Sequence, residues 1–316
     1  MSLKEILKRR GSGWSTRRSD SIVQKKITLI HILNLELLKM NEQDYHSHPA
    51  LSQSKLKILA DNPRKFYLKY IQKIDVEESD NTVSKQLGTC WDLALTDYPA
   101  YLKLKVKDTK TTKVDGCITE NWKQSIDNGV LRLRNYQMQL PEFKAGDGYL
   151  TLGQLFDSCE KQEILFWKDP KTGEECRGKL DFSFYSDSTG NKMCFIIDLK
   201  STKAETLEEF TRDFIKYKYY LQAAMYCTGK RIKHNLSYYP PFYFAAISTI
   251  TGEVFTIKVS EQMLAMGLIE MDGLIAKYQS FKLTNEWNID SPPIVLDIPE
   301  WKVQQIINTY SIGVAA

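Results

Sequence analysis

The sequence is poor in the short-range residue patterns that build metal or nucleophile sites. Its four histidines, His31, His46, His48 and His234, do not have the spacing of zinc ligands. Its six cysteines are scattered, and no two of them form a Cys-x2-Cys pair. This spacing excludes a zinc ribbon and an iron–sulfur cluster, and we interpret the cysteines as reduced, buried thiols of an intracellular protein.

Other common signatures are missing too. There is no glycine-rich phosphate loop and no nucleophile elbow, which argues against an ATPase and against a serine hydrolase. No apolar run reaches membrane-spanning length and no signal peptide is evident, so we expect a cytoplasmic protein without a membrane partner. The net charge of +4 is mild, so any partner has to be inferred from local patches of charge.

By pattern, the chain divides into a short extension and one domain. Residues 1–39 are rich in Lys and Arg around a Gly/Ser segment, and they end in an apolar run. They are either a basic arm for nucleic acid or a disordered or accessory extension, and the second meaning is the commoner one. Regular patterning begins near residue 40, and we predict one domain over 40–316 with a helical, basic insertion at about 101–148.

What the sequence does contain is a pair of strands that carry acids. Residues 179–185 alternate between polar and apolar as a strand does, and a turn that contains Gly190 follows. Residues 193–199 form an almost continuous apolar run, which is typical of a strand covered on both faces. Alternation places Asp198 and Lys200 on one face of that strand, and Asp181 of the neighbouring strand is expected within a few ångströms.

Two carboxylates and one ammonium at the mouth of a buried sheet suit the hydrolysis of phosphodiesters. Asp181, Asp198 and the Leu199 carbonyl are hard oxygen ligands for Mg²⁺ or Mn²⁺. Lys200 could orient a water molecule or help to deprotonate it. The pattern Asp/Glu-x-Lys recurs elsewhere in the chain, but here it ends an apolar strand that follows an acid-bearing strand. The alternative is a solvated strand end with an ordinary ion pair.

A second candidate region lies near the start of the predicted domain. Ser52 or Ser54 can cap a helix, and Pro63 stands at the favoured first position of the next helix. Hydroxyls and amides at a helix start, with Lys55 and Arg64 close by, could hold a phosphate. A capped surface helix with solvated charges explains the same spacing equally well.

Two predicted helices add polar residues to the candidate site. Residues 84–96 place Gly88 and Asp92 on one face, and we attribute the costly helical glycine to a close approach of this helix to the acid-bearing strands. A long helix over about 206–228 places Lys218, Gln222 and Tyr226 on one line, where they could hold a phosphate or a lytic water. Alternatively, Asp92 is simply exposed to solvent, and Lys218, Gln222 and Tyr226 form the polar rim of an amphipathic helix.

Several short motifs resemble a known superfamily when they are taken in order. They are LSQSKL at 51–56, NPRKF at 62–66, LGTCWD at 87–92, GKLDF at 178–182, IIDLKST at 196–202 and QAAMY at 222–226. Together they resemble the PD-(D/E)XK nucleases, and within these the RecE-like and lambda-exonuclease-like recombination exonucleases of phages. The resemblance implies an α/β fold with a restriction-endonuclease-like core, in which a central mixed β-sheet is flanked by helices.

The resemblance also implies an activity and partners. It implies a Mg²⁺-dependent 5′-to-3′ exonuclease on the ends of linear double-stranded DNA in phage-type recombination, in a bacterial or phage-infected cell. Such enzymes are usually ring-shaped homo-oligomers that work with a single-strand annealing protein. The rival hypothesis is a catalytically inactive DNA-binding or structural phage protein of the same fold.

Residue by residue, the resemblance assigns Asp181, Asp198 and Lys200 to the acids and the lysine of the superfamily motif. Gln222 and Tyr226 match its Q-x-x-x-Y helix motif, and Ser52 and Ser54 match an element near the 5′ end of bound DNA.

The chain departs from the superfamily pattern at one site position. Many relatives have Gly-x-x-x-His where this chain has Gly88 and Asp92. Lambda exonuclease resembles this chain in having an acid there, so the resemblance implies that Asp92 can bind a second metal ion; the inactive alternative is favoured if Asp92 does not complete that site.

Overall fold

The structure is a computed structural model, and it describes residues 42–74, 82–107, 117–188, 190–287, 293 and 295–310. The predicted N-terminal extension, residues 1–39, lies outside these ranges. Residues 108–116 of the predicted insertion also lie outside them.

Helices account for much of the described chain. The α-helices are α1 (Glu42–Ser47), α2 (Gln53–Asp61), α3 (Pro63–Phe66), α4 (Thr82–Thr96), α5 (Tyr98–Leu102), α6 (Glu120–Asn135), α7 (Leu152–Ser158), α8 (Leu207–Lys216), α9 (Tyr219–Lys233), α10 (Glu261–Thr284) and α11 (Glu300–Tyr310). A π-helix, Tyr67–Ile71, continues α3, and a 3₁₀-helix spans Pro141–Phe143. No helix within the described ranges combines the length and the low polarity needed to cross a membrane.

The strands form one five-stranded sheet and two small pairs. They are β1 (Lys105–Lys107), β2 (Cys117–Thr119), β3 (Lys144–Ala145), β4 (Gly148–Tyr149), β5 (Glu160–Lys168), β6 (Glu175–Ser188), β7 (Asn191–Thr202), β8 (Phe242–Ser248) and β9 (Val254–Lys258). The large sheet has the order β5-β6-β7-β8-β9. Its neighbours are antiparallel except β7 and β8, which are parallel and are connected through α8 and α9. The predicted mixed sheet flanked by helices is confirmed.

Both faces of this sheet are covered, which explains why β7 is apolar along most of its length. Ile196 packs on one face with side chains of α2, α9 and α10, among them Leu56 and Leu221. The next residue, Ile197, packs on the opposite face with side chains of α4, α6 and α7, among them Trp91 and Phe156. Successive residues of a strand point to opposite faces, so a strand buried on both faces needs apolar residues at both sets of positions.

The large sheet contains two tight hairpins, and the one between β6 and β7 confirms the turn predicted from the sequence. The turn between β6 and β7 contains Gly190 in the left-handed region, with φ +84°. The turn between β8 and β9 contains Gly252 with φ +70°. Glycine adopts this conformation without the steric penalty that a side chain brings, so both turns are encoded locally.

The predicted continuous helix over 206–228 is wrong in two respects. It is broken into α8 and α9 at Lys218, which has a left-handed backbone with φ 51°. It also continues past the predicted end at residue 228, through Gly229 to Lys233. A Cβ atom at Gly229 would lie 2.8 Å from the Trp167 ring, so this glycine allows close packing of α9 on the sheet. Packing and helix termination can both require glycine, and the sequence does not separate them.

Candidate active site

A cavity of about 310 Å³ lies where β6 and β7 meet helices α4 and α9. It brings together residues that are far apart in the chain and that the sequence singled out. These are Gly88, Asp92, Asp181, Asp198, Leu199, Lys200, Gln222 and Tyr226. Ser52, Ser54, Lys55, Arg64 and Lys218 do not line this cavity.

Asp198 is the most constrained acid of the cavity. Its side chain is 2% exposed, and both of its oxygens accept hydrogen bonds. Lys200 Nζ donates to Asp198 Oδ2, and Gln222 Nε2 donates to Asp198 Oδ1 at 2.6 Å. Lys200 Nζ also lies 3.3 Å from the Leu199 carbonyl oxygen. The ammonium of Lys200 therefore stands against two of the oxygen atoms that were predicted to bind a metal ion.

Asp181 is held next to Asp198 by the backbone of the neighbouring strand. The Leu199 amide donates to Asp181 Oδ2 at 2.8 Å. Burial raises the pKa of Asp181 well above its ordinary value, and the charges of Asp198 and Asp92 raise it further. Lys200 and the Leu199 amide lower this pKa but do not offset the other effects. The site thus holds more acidic groups than its own lysine can neutralise.

Lys200 remains protonated in this environment. Burial alone would lower its pKa, but the charges of Asp198 and Asp181 outweigh burial and leave the pKa raised. In this arrangement the side chain is an ion-pair partner of Asp198. It could act on a water molecule or a phosphate once another cation takes over that pairing.

Asp92 reaches the cavity from α4, one turn after Gly88. Gln162 Nε2 donates to Asp92 Oδ1 at 2.9 Å. The proposed reason for Gly88 is wrong, because a Cβ atom there would make an ordinary contact at 3.8 Å with Ser201 Oγ. Gly88 instead lines the cavity wall, where a side chain would take up space that is now open.

Gln162 is a site residue that the sequence did not indicate. It lies near the start of β5 and has a left-handed backbone, φ 54°, which a residue with a side chain rarely adopts. The ladder between β5 and β6 pairs Lys161 with Phe182 and Glu163 with Leu180, and it skips Gln162 and Asp181. An interrupted ladder with a strained residue beside a candidate site is a feature that functional constraint produces.

The interruption also changes how β6 presents its side chains. Leu180 packs in the cluster on the α9 face of the sheet, whereas Phe182 packs in the cluster on the α4 face. Regular alternation would place residues 180 and 182 on the same face. Asp181 therefore lies where the alternation shifts, which simple strand periodicity could not predict.

The donor set suits a hard divalent cation, although no ready-made metal site is present. Among the described residues, no group of three or more His, Cys, Asp or Glu side chains is arranged to hold a metal ion. The oxygens of Asp92, Asp181 and Asp198 are engaged by Gln162, the Leu199 amide, Lys200 and Gln222. Carboxylate and carbonyl oxygens are nevertheless the ligands that Mg²⁺ and Mn²⁺ prefer, and three carboxyl groups line one cavity that contains a single lysine.

Tyr226 and Lys218 were predicted to share one face with Gln222. Tyr226 does line the cavity, and burial raises the pKa of its phenol well above the ordinary value, so the hydroxyl stays protonated. Its ring lies against Gly178, where a Cβ atom would be 2.9 Å away. Lys218 instead occupies the break before α9 and forms an ion pair with Glu270 at 2.7 Å.

The groups at the start of α2 that were predicted to bind a phosphate are largely engaged in contacts within the chain. Ser52 caps α2 by accepting from the Lys55 amide at 3.3 Å, and the Ser52 and Ser54 hydroxyls are 2.9 Å apart. Lys55 is 5% exposed, and its ammonium donates to three backbone carbonyls between residues 48 and 50. Arg64 is exposed, with its guanidinium 5.5 Å from the Tyr67 ring centre. A DNA-binding role for these residues stays a prediction.

The comparison with protein families identifies the class of this fold. Residues 108–292 match the PDDEXK-like domain of unknown function (DUF3799). The match spans more than half of the chain, and the chain belongs to this family. Membership supports a nuclease function at the level of the superfamily, whose enzymes typically use divalent metal ions. The matched region contains Asp181, Asp198, Lys200, Gln222 and Tyr226, and it begins after Asp92.

Other comparisons add little. No match to the chain is found among curated proteins. A crystal structure from Eubacterium rectale, of a protein provisionally named an exonuclease, is 14% identical. The alignment covers 86% of this chain and 98% of that one, with a TM-score of 0.49. The crystal structure of SSO0001 is 12% identical over 74% of this chain and 98% of that one, with a TM-score of 0.27. At these TM-scores neither likeness bears on function.

Proposed function

We propose that this protein is a metal-dependent deoxyribonuclease that degrades linear double-stranded DNA from its ends. The observation that carries the proposal is the meeting of Asp181, Asp198 and Lys200 in one cavity, with Asp92 and Gln222 beside them. This set contains more acids than its lysine can neutralise, and a polyanionic substrate could approach it only together with added cations.

The acids of the cavity would hold the metal. Asp181, Asp198 and the Leu199 carbonyl would bind Mg²⁺ or Mn²⁺, and Asp92 would contribute to a second ion. When bound, such ions supply positive charge to the phosphate oxygens and make a water molecule easier to deprotonate.

The remaining residues would position the acids, the attacking water and the phosphate. Gln222 fixes the orientation of Asp198 through its hydrogen bond to Oδ1. Lys200, released from Asp198 by a bound cation, would orient the attacking water and contact the phosphate. The hydroxyl of Tyr226 stays protonated and would donate a hydrogen bond to the bound DNA strand.

The finer parts of the proposal derive from the resemblance to RecE-like and lambda-exonuclease-like enzymes. They are a 5′-to-3′ polarity, a ring-shaped homo-oligomer, cooperation with a single-strand annealing protein, and a role in phage-type recombination in the bacterial cytoplasm.

The test is degradation of a linear duplex that is labelled at either its 5′ or its 3′ end. We expect early release of the 5′ label in Mg²⁺ or Mn²⁺, no release in EDTA, and no loss of covalently closed circular DNA. The Lys200→Ala variant is the matched control for contaminating nucleases. Binding of the duplex without cleavage under all metal conditions would contradict the proposal and would support the inactive DNA-binding alternative.

A further inference from the structure

A second, larger cavity of about 780 Å³ adjoins the candidate active site. The two cavities share Ser201, on β7 directly after Lys200. We call the second cavity the lysine groove, because its lining includes Lys57, Lys85, Lys203, Lys216 and Lys218. Two aspartates, Asp61 and Asp213, also line it, so the groove carries a net positive charge beside a negatively charged site.

One lysine of this groove, Lys57, interacts electrostatically with the candidate active site. It is half-buried on α2, with its ammonium 5.4 Å from the centre of the Tyr219 ring. The pKa of Lys57 is lowered to about 8, mainly by burial and also by the charges of Lys200 and Lys218, while Asp198 and Asp61 act in the opposite direction. These influences place the Lys57 ammonium within electrostatic reach of the Lys200–Asp198 pair.

Lys57 also lacks the partners that a buried ammonium normally has. Within the described ranges it forms no ion pair and no side-chain hydrogen bond, and its contact is the Tyr219 ring. Lys218, by contrast, is neutralised by Glu270. Asp61 and Asp198 act on Lys57 without forming an ion pair, and a partly desolvated cation with no ion pair is stabilised when an anion binds to it. A groove next to a phosphodiester-cleaving site offers an obvious anion of that kind.

We infer that the lysine groove binds the nucleic-acid strand that continues from the active site, and that Lys57 contacts the phosphate next to the one being cleaved. This inference rests on the proposed nuclease function and adds to it the path of one strand. Contacts to phosphate fix the register of a strand without reading its bases. Lys57 would therefore act on substrate binding and positioning for every sequence.

Substrate length separates this role from a structural one. Bis(p-nitrophenyl) phosphate has a single phosphodiester and cannot reach the groove, whereas an oligonucleotide can. We expect Lys57→Gln to lower kcat/KM for an oligonucleotide by about 10- to 100-fold, mainly through KM, because one charge-assisted hydrogen bond is lost. Cleavage of bis(p-nitrophenyl) phosphate should be unchanged. The control is Lys168→Gln, an exposed lysine on β5 that lines neither cavity, and it should alter neither rate.

Binding provides a second, independent measurement. Fluorescence anisotropy of a labelled oligonucleotide in Ca²⁺ should show weaker binding by Lys57→Gln, with the slope of log K against log salt reduced by about one. An equal fall in the cleavage of both substrates, or oligonucleotide binding like that of the wild type, would overturn the inference. If the wild type cleaves nothing but Lys57→Gln still weakens binding, the proposed function fails and the lysine groove stands.

Discussion

Two clusters of buried charge contact the same helix, α9, and they are balanced differently. Toward the end of the helix, Lys230 and Lys233 each donate to Glu163 at 2.6 Å, and the Ser183 hydroxyl also donates to this carboxylate. Near its start, Gln222 donates to Asp198 in a cavity with more acids than Lys200 can neutralise.

The pKa values show the consequence. Burial raises the pKa of Glu163, but Lys230 and Lys233 outweigh burial and leave it lowered. At the other cluster, burial and the neighbouring acids leave the pKa of Asp181 raised. In the Glu163 cluster the buried carboxylate and the buried Lys230 neutralise each other, the second lysine, Lys233, is partly exposed, and the ion pairs connect α9 to β5. The Asp181 cluster requires an added cation before its acids can all be charged without penalty, which is what a metal-dependent site needs.

The largest expected effect comes from removing Lys200, the cation of the Asp181 cluster. Lys200→Ala should reduce cleavage by about 10²- to 10⁴-fold, the range for a group that assists proton transfer, while DNA affinity changes little. Asp198→Ala should also lose cleavage, but extra Mn²⁺ should partly restore it, because its defect is in metal affinity. Single-turnover cleavage of a 5′-phosphorylated duplex across a metal titration distinguishes the two variants. Wild-type cleavage by Lys200→Ala would show that the Asp198–Lys200 pair has no role in the chemistry.

Breaking the Glu163 cluster should lower the free energy of unfolding and leave the cleavage rate unchanged. Glu163→Gln leaves Lys230, which is 1% exposed, without its carboxylate. We expect the free energy of unfolding to fall by about 3 kcal/mol in urea titrations, as for other broken buried ion pairs. Lys282→Gln breaks an exposed pair with Glu174 and should cost less than about 1 kcal/mol. Equal losses in the two variants would show that the Glu163 cluster has no special structural role.

Neutralising one acid of the Asp181 cluster should raise the free energy of unfolding, whereas breaking the Glu163 cluster lowers it. The folded-state pKa of Asp181 is raised, so the wild type loses stability as pH rises from the ordinary carboxyl range through that raised pKa. Asp181→Asn should therefore be more stable than the wild type at pH 7, by about 1.4 kcal/mol for each unit of pKa elevation. The difference should vanish toward pH 4 and shrink when Mg²⁺ is added at pH 7. Thermal melting across pH and Mg²⁺ concentration measures this, and a less stable Asp181→Asn protein at pH 7 would contradict it.

The smallest expected effect concerns Gln162. A left-handed backbone costs a residue with a side chain about 1 kcal/mol, and the extra chain entropy of glycine offsets most of that gain. Gln162→Gly should therefore change the unfolding free energy by no more than about 0.5 kcal/mol, while Asp92 loses its amide partner. The Mg²⁺ concentration needed to raise the melting temperature should then increase. Asparagine keeps an amide and adopts the left-handed backbone more readily, so the Mg²⁺ concentration that Gln162→Asn requires should lie between those of the wild type and Gln162→Gly. If all three proteins respond identically to Mg²⁺, Gln162 does not belong to the site.

Much of this fold could be predicted from local patterns. The strand character of β6, the apolar run of β7 and the turn glycines Gly190 and Gly252 are all encoded within a few residues, whereas the shift in the alternation of β6 at Asp181 is not. The same local rules place Asp198 and Lys200 on one strand face and Asp181 on the next strand. Short motifs in a fixed order then indicated the superfamily, because each motif is itself a local feature.

Tertiary structure alone decided the rest. The contact between Gln162 and Asp92 joins residues 70 positions apart, and neither residue has a local signal for the other. The break at Lys218 and the burial of Lys55 against carbonyls depend on how helices pack on the sheet. The same is true of Lys57, whose sequence neighbourhood is that of an ordinary amphipathic helix. Periodicity specifies which face a side chain takes, but only the packed chain determines which charges are then left without a partner.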